Sequence, residues 1–268
     1  MRRLLYVPAV LVAIWMLGST TWSMVDVATN ETVRSTETFP SATAVVLDND
    51  AGTVEIVGDR REGVVVELAA RHGVLDATAS ATLDDEGRVV ISSRCPDPIS
   101  IVCRVQATVH VPTGTPVTGG GSSRVRISDV GGPVDLDTSN GAVSITGAEG
   151  TVRVRTSNGA ISVYDSTADV DVRTSNGRID LDGVTAGTVD AATSNGRIRL
   201  GFSNAPDRIA ATSSNGRVAI LLPAHAPPYS VSATTSLGSV DTTIRTDPGA
   251  DRTINAATSN GRITIDYR

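Results

Sequence analysis

Lysine is absent from the sequence, so all 23 basic residues are arginines. Aromatic residues are scarce as well: they make up 3% of the chain, with two phenylalanines, which excludes a core built on large rings. The apolar residues are instead valine, isoleucine, leucine and alanine, and together with 25 glycines they favour β-structure with many turns over a helix bundle. With a net charge of −6 the chain lacks the basic footprint of a general nucleic-acid binder, and we expect no nucleic-acid partner.

Cysteine is nearly absent too, and the two that occur, Cys95 and Cys103, lie close together in the segment SSRCPDPISIVCRV. In an oxidising exterior, two neighbouring cysteines tend to pair, and this pair would close a short proline-containing loop between two strands. A redox or metal site is the alternative, but the segment has neither C-x-x-C spacing nor a nearby histidine. We therefore predict a structural disulfide between Cys95 and Cys103.

Catalytic motifs are missing from the sequence. The three histidines, His72, His110 and His225, are far apart and none belongs to a metal-binding spacing. No G-x-S-x-G motif, Walker motif or dinucleotide-binding fingerprint occurs. We predict that the protein is not an enzyme and uses no cofactor or metal. Scattered aspartates leave a carbohydrate-active enzyme as the least favoured alternative.

The N-terminus carries a targeting signal. Arg2 and Arg3 precede an uncharged run, Leu4–Val25, which as a helix at ~1.5 Å per residue would span about 33 Å, enough to cross a bilayer. The alternative is a cleaved signal peptide with its apolar region at Leu4–Leu17, although its small-x-small cleavage site is poor. We expect an uncleaved single-pass anchor in the cell membrane with the C-terminal domain extracellular, and a secreted protein as the alternative.

One six-residue motif recurs through the second half of the chain. The segment TSNGRI at 174–179 has close copies that begin at residues 138, 156, 193, 213 and 258, and a looser copy, TSLGSV, at 235. The glycines of successive copies are separated by 18 to 23 residues, a period typical of a solenoid. An active site needs its residues once, so a motif repeated this often indicates a structural corner.

Apolar residues alternate with other residues on both sides of each motif, at seven and five residues before the glycine and at two and four after it. This alternation marks strands with one buried face. The apolar positions are at odd distances before the glycine but at even distances after it. In a straight strand such a one-residue shift would turn the apolar side chains to the other face, so the chain must bend at the glycine. Asn-Gly suits such a bend through positive φ angles. The predicted corners are Asn140 and Gly141, Asn158 and Gly159, Asn176 and Gly177, Asn195 and Gly196, Asn215 and Gly216, and Asn260 and Gly261.

Stacking of the copies predicts hydrogen-bonded ladders. The threonine three residues before each glycine and the asparagine one residue before it share the inward parity, and strands about 4.8 Å apart would bring like side chains together. Leu237 replaces the asparagine in the copy at 235 and should interrupt the asparagine ladder. Two-residue hairpins are the alternative explanation of repeated Asn-Gly, but hairpins do not require identical residues in successive copies.

We predict an all-β fold: a β-solenoid of about seven to nine coils of 18–23 residues that wind forward in chain order, with an irregular β cap and an N-terminal transmembrane helix. Weaker copies around Gly52 and Ser123 extend the array backward, and the non-repeating runs at 57–117 are assigned to the cap. The predicted organisation is a membrane anchor or signal peptide at 1–25, a stalk at 26–40, an N-terminal β cap with a first degenerate coil at 41–118, and solenoid repeats at 119–268.

A stripe of arginines is the first candidate binding site. The outward position after the corner glycine is arginine in three consecutive copies, at Arg178, Arg197 and Arg217, and Arg199 lies nearby. Like charges on neighbouring strands repel, so this stripe would suit an anionic ligand such as a wall polymer, an acidic glycan or a phospholipid head group. The alternative is a solvated face, neutralised in part by Asp180, Asp182 and Asp190.

The connections between copies are a second candidate. All of them must emerge on one side of a solenoid, and the longest are residues 221–230 and 243–253. Insertions on one face of a repeat protein often mark its binding face. The alternative is that these surface loops tolerate changes in length, because a longer loop costs little conformational entropy.

Three features of the chain together match a known domain family: the apolar N-terminus, the segment VHVPTGTPV and the serial TSNGxI corners. The chain resembles the bacterial putative-adhesin domain family of unknown function over roughly residues 40–268. The resemblance implies an exported β-solenoid with repeated S-N-G-x-I coils and no catalytic residues. The family name implies adhesion, and relatives have also been associated with envelope-stress sensing.

From the repeat and the resemblance we expect a non-enzymatic cell-surface protein that is tethered to the membrane by its N-terminal helix. Its expected partner is a cell-wall glycan, a wall polymer or an envelope protein. A regulatory envelope-stress module that acts with a membrane partner is the alternative.

Overall fold

The computed structural model describes residues 31–72, 77–95 and 103–268, which form strands joined by turns and loops. The strands of the first half are β1 (Glu31–Phe39), β2 (Ala44–Asn49), β3 (Thr53–Asp59), β4 (Val64–His72), β5 (Thr78–Leu83), β6 (Arg88–Arg94), β7 (Arg104–Pro112), β8 (Val117–Gly121), β9 (Arg124–Ser128), β10 (Val134–Thr138) and β11 (Val143–Thr146). Those of the second half are β12 (Val152–Thr156), β13 (Ile161–Tyr164), β14 (Val170–Thr174), β15 (Ile179–Val184), β16 (Thr188–Thr193), β17 (Ile198–Phe202), β18 (Arg208–Asn215), β19 (Val218–Leu222), β20 (Ser230–Leu237), β21 (Val240–Thr242), β22 (Thr253–Asn260) and β23 (Ile263–Tyr267).

These strands form two sheets that enclose one core. The first sheet has 12 strands in the order β1-β4-β7-β3-β9-β11-β13-β15-β17-β19-β23-β21, and the second has 11 in the order β20-β22-β18-β16-β14-β12-β10-β8-β2-β6-β5. Neighbouring strands are parallel except where β1, β4 and β5 pair. We call two strands that follow each other in the chain, one in each parallel sheet, a rung. Stacked rungs make the fold an all-β, solenoid-like one.

The core consists of aliphatic columns that run through the stacked rungs. Val134 lies beside Val152, which lies beside Val170, and the other predicted apolar positions align in the same way. At all four positions the residues of the repeats are buried, except in the rung β20/β21. Each rung therefore shields the next from water, which one rung alone could not do.

The order of the rungs departs from chain order at the C-terminal end. From β8/β9 to β18/β19, each rung stacks on the one before it in the chain. The last rung, β22/β23, then lies between β18/β19 and β20/β21, so the prediction of forward winding is wrong here. Because β20/β21 skips one position and the chain then returns to fill it, its two flanking connections must be long. This explains why 221–230 and 243–253 are the longest connections of the repeat.

A similar inversion occurs at the N-terminal end. The region 57–117, predicted to be an irregular cap, contains one regular rung, β6/β7, which packs outside β2/β3 in parallel register. Cys95 directly follows β6 and Cys103 directly precedes β7. The two cysteines form a disulfide with their Cα atoms 6.0 Å apart. Only β1, β4 and β5 depart from the parallel arrangement among the described strands, and they lie at this end of the stack.

The predicted N-terminal anchor, residues 1–25, lies outside the described residues. Within the part of the chain that the structure describes, no helix is long and apolar enough to cross a membrane. The anchor therefore stays a prediction.

Candidate binding surface

The corner glycines are required by close packing and not by positive φ. None of the glycines at 141, 159, 177, 196, 216 and 261 is among the residues with positive φ, so that part of the corner prediction is wrong. A Cβ atom on Gly177 would instead lie 1.8 Å from the carbonyl oxygen of Gly159, and one on Gly196 would lie 1.9 Å from the oxygen of Gly177. The backbone of each corner occupies the space that a side chain on the next would need.

Hydroxyl groups, four of threonine and one of serine, connect most corners to the neighbouring corner by hydrogen bonds. The Oγ1 of Thr174 donates to the carbonyl oxygen of Gly159 at 3.0 Å and accepts from the N–H of Gly177 at 3.1 Å. Thr193 repeats the first bond with Gly177 at 3.0 Å. The buried threonines thus bond to the corner backbone and not to one another, which satisfies their hydroxyl groups inside the stack.

The corner asparagines form a continuous ladder on the outside of the stack. Each Nδ2 donates to the Oδ1 of the neighbouring rung at 2.8–2.9 Å, in the order Asn260, Asn215, Asn195, Asn176, Asn158, Asn140. The predicted inward orientation of these side chains is wrong, because the bend at the corner turns them into solvent, where they are exposed. Leu237 does not interrupt the ladder either. It follows Asn260 and ends the ladder, because its rung is outermost.

The inverted rung order extends the arginine stripe. In the order of the repeats, Ser239 comes between Arg217 and Arg262. In the structure, Arg262 lies directly beside Arg217. Backbone hydrogen bonds connect the four positions: Ile179 N–H to the carbonyl of Arg197 at 3.0 Å, Ile198 N–H to that of Arg217 at 2.9 Å, and Val218 N–H to that of Arg262 at 3.0 Å. We call Arg178, Arg197, Arg217 and Arg262 the arginine column. Its four exposed side chains start on strands about 4.8 Å apart.

The arginine column is largely without acidic partners. Among the described residues, Arg178, Arg197 and Arg217 form no ion pair or side-chain hydrogen bond. Arg262 is 3.7 Å from Asp241, and its Nε donates to the Oγ of Ser239 at 3.1 Å. Two of the acids that could have neutralised the column are engaged elsewhere. Asp182 pairs with Arg268 at 2.7 Å, and Asp190 pairs on the second sheet with Arg173 at 3.2 Å.

The second sheet provides an internal contrast. On its outer face, Arg153 lies 3.6 Å from Asp135 and 3.7 Å from Asp171, and Arg173 lies 3.0 Å from Asp171. Arginines and aspartates thus alternate there and neutralise one another, as cross-strand pairs commonly do. The same protein therefore arranges its arginines in two ways: Arg153 and Arg173 are paired with aspartates, whereas the arginine column is available to an external anion.

Arg199, which lies on β17 two residues after Arg197, places a further guanidinium group beside the arginine column. Arg197, Arg199 and Arg217 line a groove of about 230 Å³ together with Asp180, Ile198 and Ala219. Arg199 is opposite Asp180 in the strand register, but no ion pair joins the two. The groove therefore has three guanidinium groups against one carboxylate, a surplus of positive charge on a protein of net charge −6.

The two longest connections pack against each other. Tyr229 N–H donates to the carbonyl of Arg245, and Asp247 N–H donates back to the carbonyl of Tyr229 at 2.9 Å. Tyr229 is fully buried, its hydroxyl donates to the carbonyl of Pro206 at 2.6 Å, and burial raises its pKa. Ala226 and Ile244 are buried with it. These connections thus extend the core over the side of the last rungs, which favours a structural role over a binding one.

No cluster of three or more histidine, cysteine, aspartate or glutamate side chains that could hold a metal ion occurs within the described ranges. His110 is beside Asp59, with Nδ1 and the carboxylate oxygen 3.4 Å apart, and neither is near the arginine column in the sheet order. The groups with evident binding capacity are therefore the exposed arginines.

Stacked parallel rungs, glycine corners and the external asparagine ladder define a repetitive, solenoid-like β protein. The chain belongs to the family described as Toastrack DUF4097, whose model matches residues 122–266, more than half of its length. This match confirms the predicted resemblance to a putative-adhesin domain family of unknown function. No curated protein matches the chain in sequence.

Solved structures share the fold at low sequence identity. A putative adhesin from Bacteroides fragilis is 13% identical, with a TM-score of 0.53, over 89% of this chain and 97% of that one. A putative adhesin from Parabacteroides distasonis is 11% identical, with a TM-score of 0.47, over 89% of this chain and 97% of that one. At such identities the first likeness supports the fold alone.

Arg262 is the residue of the column that the sequence reasoning missed. One signal could have placed it correctly. Terminal repeats of a stacked array are usually atypical, and the most divergent copy is TSLGSV at 235, while the copy at 258 keeps the motif TSNGRI. Sequence divergence thus points to the copy at 235 as the terminal rung.

Proposed function

We propose that the protein is a non-enzymatic envelope protein that binds a linear anionic polymer, such as a wall polymer or an acidic glycan, along its arginine column. Residues 1–25 tether it to the membrane, and the stack presents the column outside the cell. The observation that carries this proposal is the row of four adjacent exposed arginines, three of them without an acidic partner among the described residues.

The geometry suits a polymer better than a small ligand. Guanidinium groups that recur at about 4.8 Å along a straight edge can each take one anionic group of an extended chain. The groove beside Arg197 and Arg199 has a volume of about 230 Å³, below the roughly 300–1,000 Å³ of typical small-molecule sites. Several weak contacts along one chain add up, and screening by salt would weaken all of them together.

The test uses the full chain in detergent and two soluble probes, linear polyphosphate and polygalacturonate, with neutral dextran as a control. We expect both anionic probes to bind and dextran not to bind. Replacement of Arg178, Arg197 and Arg217 by serine should weaken binding at least about 100-fold, because each charge-assisted hydrogen bond contributes about 1.5–3 kcal/mol.

The matched variant replaces Arg153, Arg155 and Arg173 by serine. It removes the same charge from the second sheet, where ion pairs surround the arginines. We expect binding by this variant to stay within a few-fold of the unchanged chain. Equal losses in the two variants would mean that net charge and not the column attracts the polymer. Absence of binding by the unchanged chain would refute the proposal outright.

A further inference from the structure

The stack ends at the rung β20/β21, whose two strands have no neighbour on the outer side among the described strands. Immediately before β20, Tyr229 pairs with the segment 245–247, so the free part of this edge begins at Val231. Strand β20 has β22 as its one neighbour, and β21 has β23. Within β20, the N–H of Ser230 donates inward to the carbonyl of Arg252 at 2.8 Å. Because N–H groups alternate in direction along a strand, those of Val231, Ala233 and Thr235 point away from the stack. We call β20, β21 and Ile244 the open end.

The apolar columns of the core reach solvent at the open end. A cavity of about 420 Å³ lies there, lined by Val231, Ala233, Val240 and Ile244 among others. Val240 is 40% exposed, and Leu237, where the asparagine ladder ends, is 71% exposed. Val240 occupies a position that is buried in the other repeats. The open end therefore resembles an interior layer of the stack with its next rung missing.

The strands β20 and β21 themselves have few of the devices that normally prevent strand pairing, although Pro248 of the following connection lines the cavity. Edge strands are usually protected by charges, proline or bulges. Strand β20 contains no charged residue and no proline, and β21 contains only Asp241, which is near Arg262. At the opposite end of the stack, by contrast, the edge strand β1 carries Arg34 and Glu37, and β5 leads into the acidic residues 84–86. The two ends thus differ in their protection against pairing.

From these features we infer that the open end is a docking site for the open end of a second copy of this chain. A two-fold axis perpendicular to the stack would set the two edges of one copy against the two edges of the other in antiparallel pairs and would bring the two apolar cavities together. A single extended peptide could pair with only one of the two edges. Stacking of the open end on the β1 end would bring uncharged strands against a charged edge and would not close.

The size of the open end sets the expected strength. Because sheets pack ~10 Å apart, each of the two layers at the open end is about 10 Å thick. With β20 about 26 Å long, the two layers together offer roughly 500 Å² on each copy, so a pair would bury about 1,000 Å². This is the lower end of specific interfaces, and we expect a reversible dimer with a dissociation constant in the micromolar range. Glu31, the first described residue, begins β1 at the end of the stack opposite to the contact.

The test is the mass of the full chain in detergent, measured by sedimentation across the micromolar range. The unchanged chain should shift from monomer to dimer. A variant with Leu237→Arg and Val240→Arg should stay monomeric, because it places four charges in the paired interface. Ala233→Pro, which removes one outward N–H, should weaken the dimer as well and serves as the second variant if the first fails to fold.

The control is Val33→Arg, which charges the 52%-exposed valine at the opposite end of the stack. It should dimerise like the unchanged chain. A dimer that survives the changes at the open end, including one held together by residues 1–30, would overturn the inference. So would an unchanged chain that stays monomeric, a dimer that Val33→Arg abolishes, or assembly into open chains of many copies.

Discussion

Replacement of Gly177 by alanine should lower the free energy of unfolding by about 3 kcal/mol or more, at the upper end of what overpacking costs. The new Cβ would be 1.8 Å from the carbonyl oxygen of Gly159, and the same oxygen accepts a hydrogen bond from the Oγ1 of Thr174. Neither group can move aside unless two rungs separate. Urea unfolding of the purified variant, followed by circular dichroism, measures the loss.

The matched control for this prediction is Gly187→Ala on the opposite side of the stack. A Cβ there would meet only an oxygen of Asp169 at 3.4 Å, which is ordinary contact. We expect its unfolding midpoint to stay close to that of the unchanged chain. If Gly177→Ala were equally well tolerated, the stacked corners could not be as closely packed as the structure places them.

The second large effect concerns two residues of the same apolar column. Replacement of Ile263 by alanine should cost about 2–5 kcal/mol, because this side chain is fully buried between neighbouring rungs and its removal leaves a cavity. Replacement of Val240 by alanine should cost well below 1 kcal/mol, because Val240 is 40% exposed at the open end. The same urea series measures both variants.

This comparison separates the observed rung order from simple forward winding. In chain order, Val240 would lie between Val218 and Ile263 and would be as buried as they are. Ile263 would then be in the last rung and would be the more exposed of the two. A larger loss for Val240→Ala than for Ile263→Ala would therefore contradict the insertion of β22/β23.

The repeat predicted most of the fold because its information is local. Alternating apolar residues determine which face of each strand is buried, and the recurrence of TSNG aligns the copies, so columns such as Val134, Val152 and Val170 followed from counting. The parallel pairing of the central rungs followed from the same alignment. These features depend on neighbours in sequence and on one physical rule: apolar side chains at equivalent positions of the repeats are buried against one another.

The features that sequence reasoning did not predict depend on choices between nearly equivalent partners. The strands β20 and β22 present similar residues at matching positions, so either could stack on β18. The structure places β22 there, where Ile254 and Ala256 are buried, and the two long connections allow this order. The sequence also could not show why glycine is needed at the corners, because two different requirements would select it. Positive φ and close approach both select glycine, and only the position of the neighbouring carbonyl distinguishes them.

The candidate site was predicted in part for the same reasons. Arg178, Arg197 and Arg217 belong to the forward-winding region, so their adjacency followed from the repeat. The fourth arginine, Arg262, depended on the inverted order of the last rungs. Which acids neutralise which arginines depended on strand neighbours in the second sheet, as the pairing of Asp190 with Arg173 illustrates.

Engineered disulfides at the corner position test the rung order and the arginine column together. In one full-length variant, Arg217 and Arg262 are both replaced by cysteine, and in the other, Arg217 and Ser239 are. Adjacent strands place Cα atoms about 4.8 Å apart, within the range of a disulfide, whereas strands two rungs apart are at about twice that distance. Mass spectrometry of the oxidised protein should find the bond between positions 217 and 262 and none between 217 and 239. The reverse result would contradict the inserted rung and, with it, a column of four adjacent arginines.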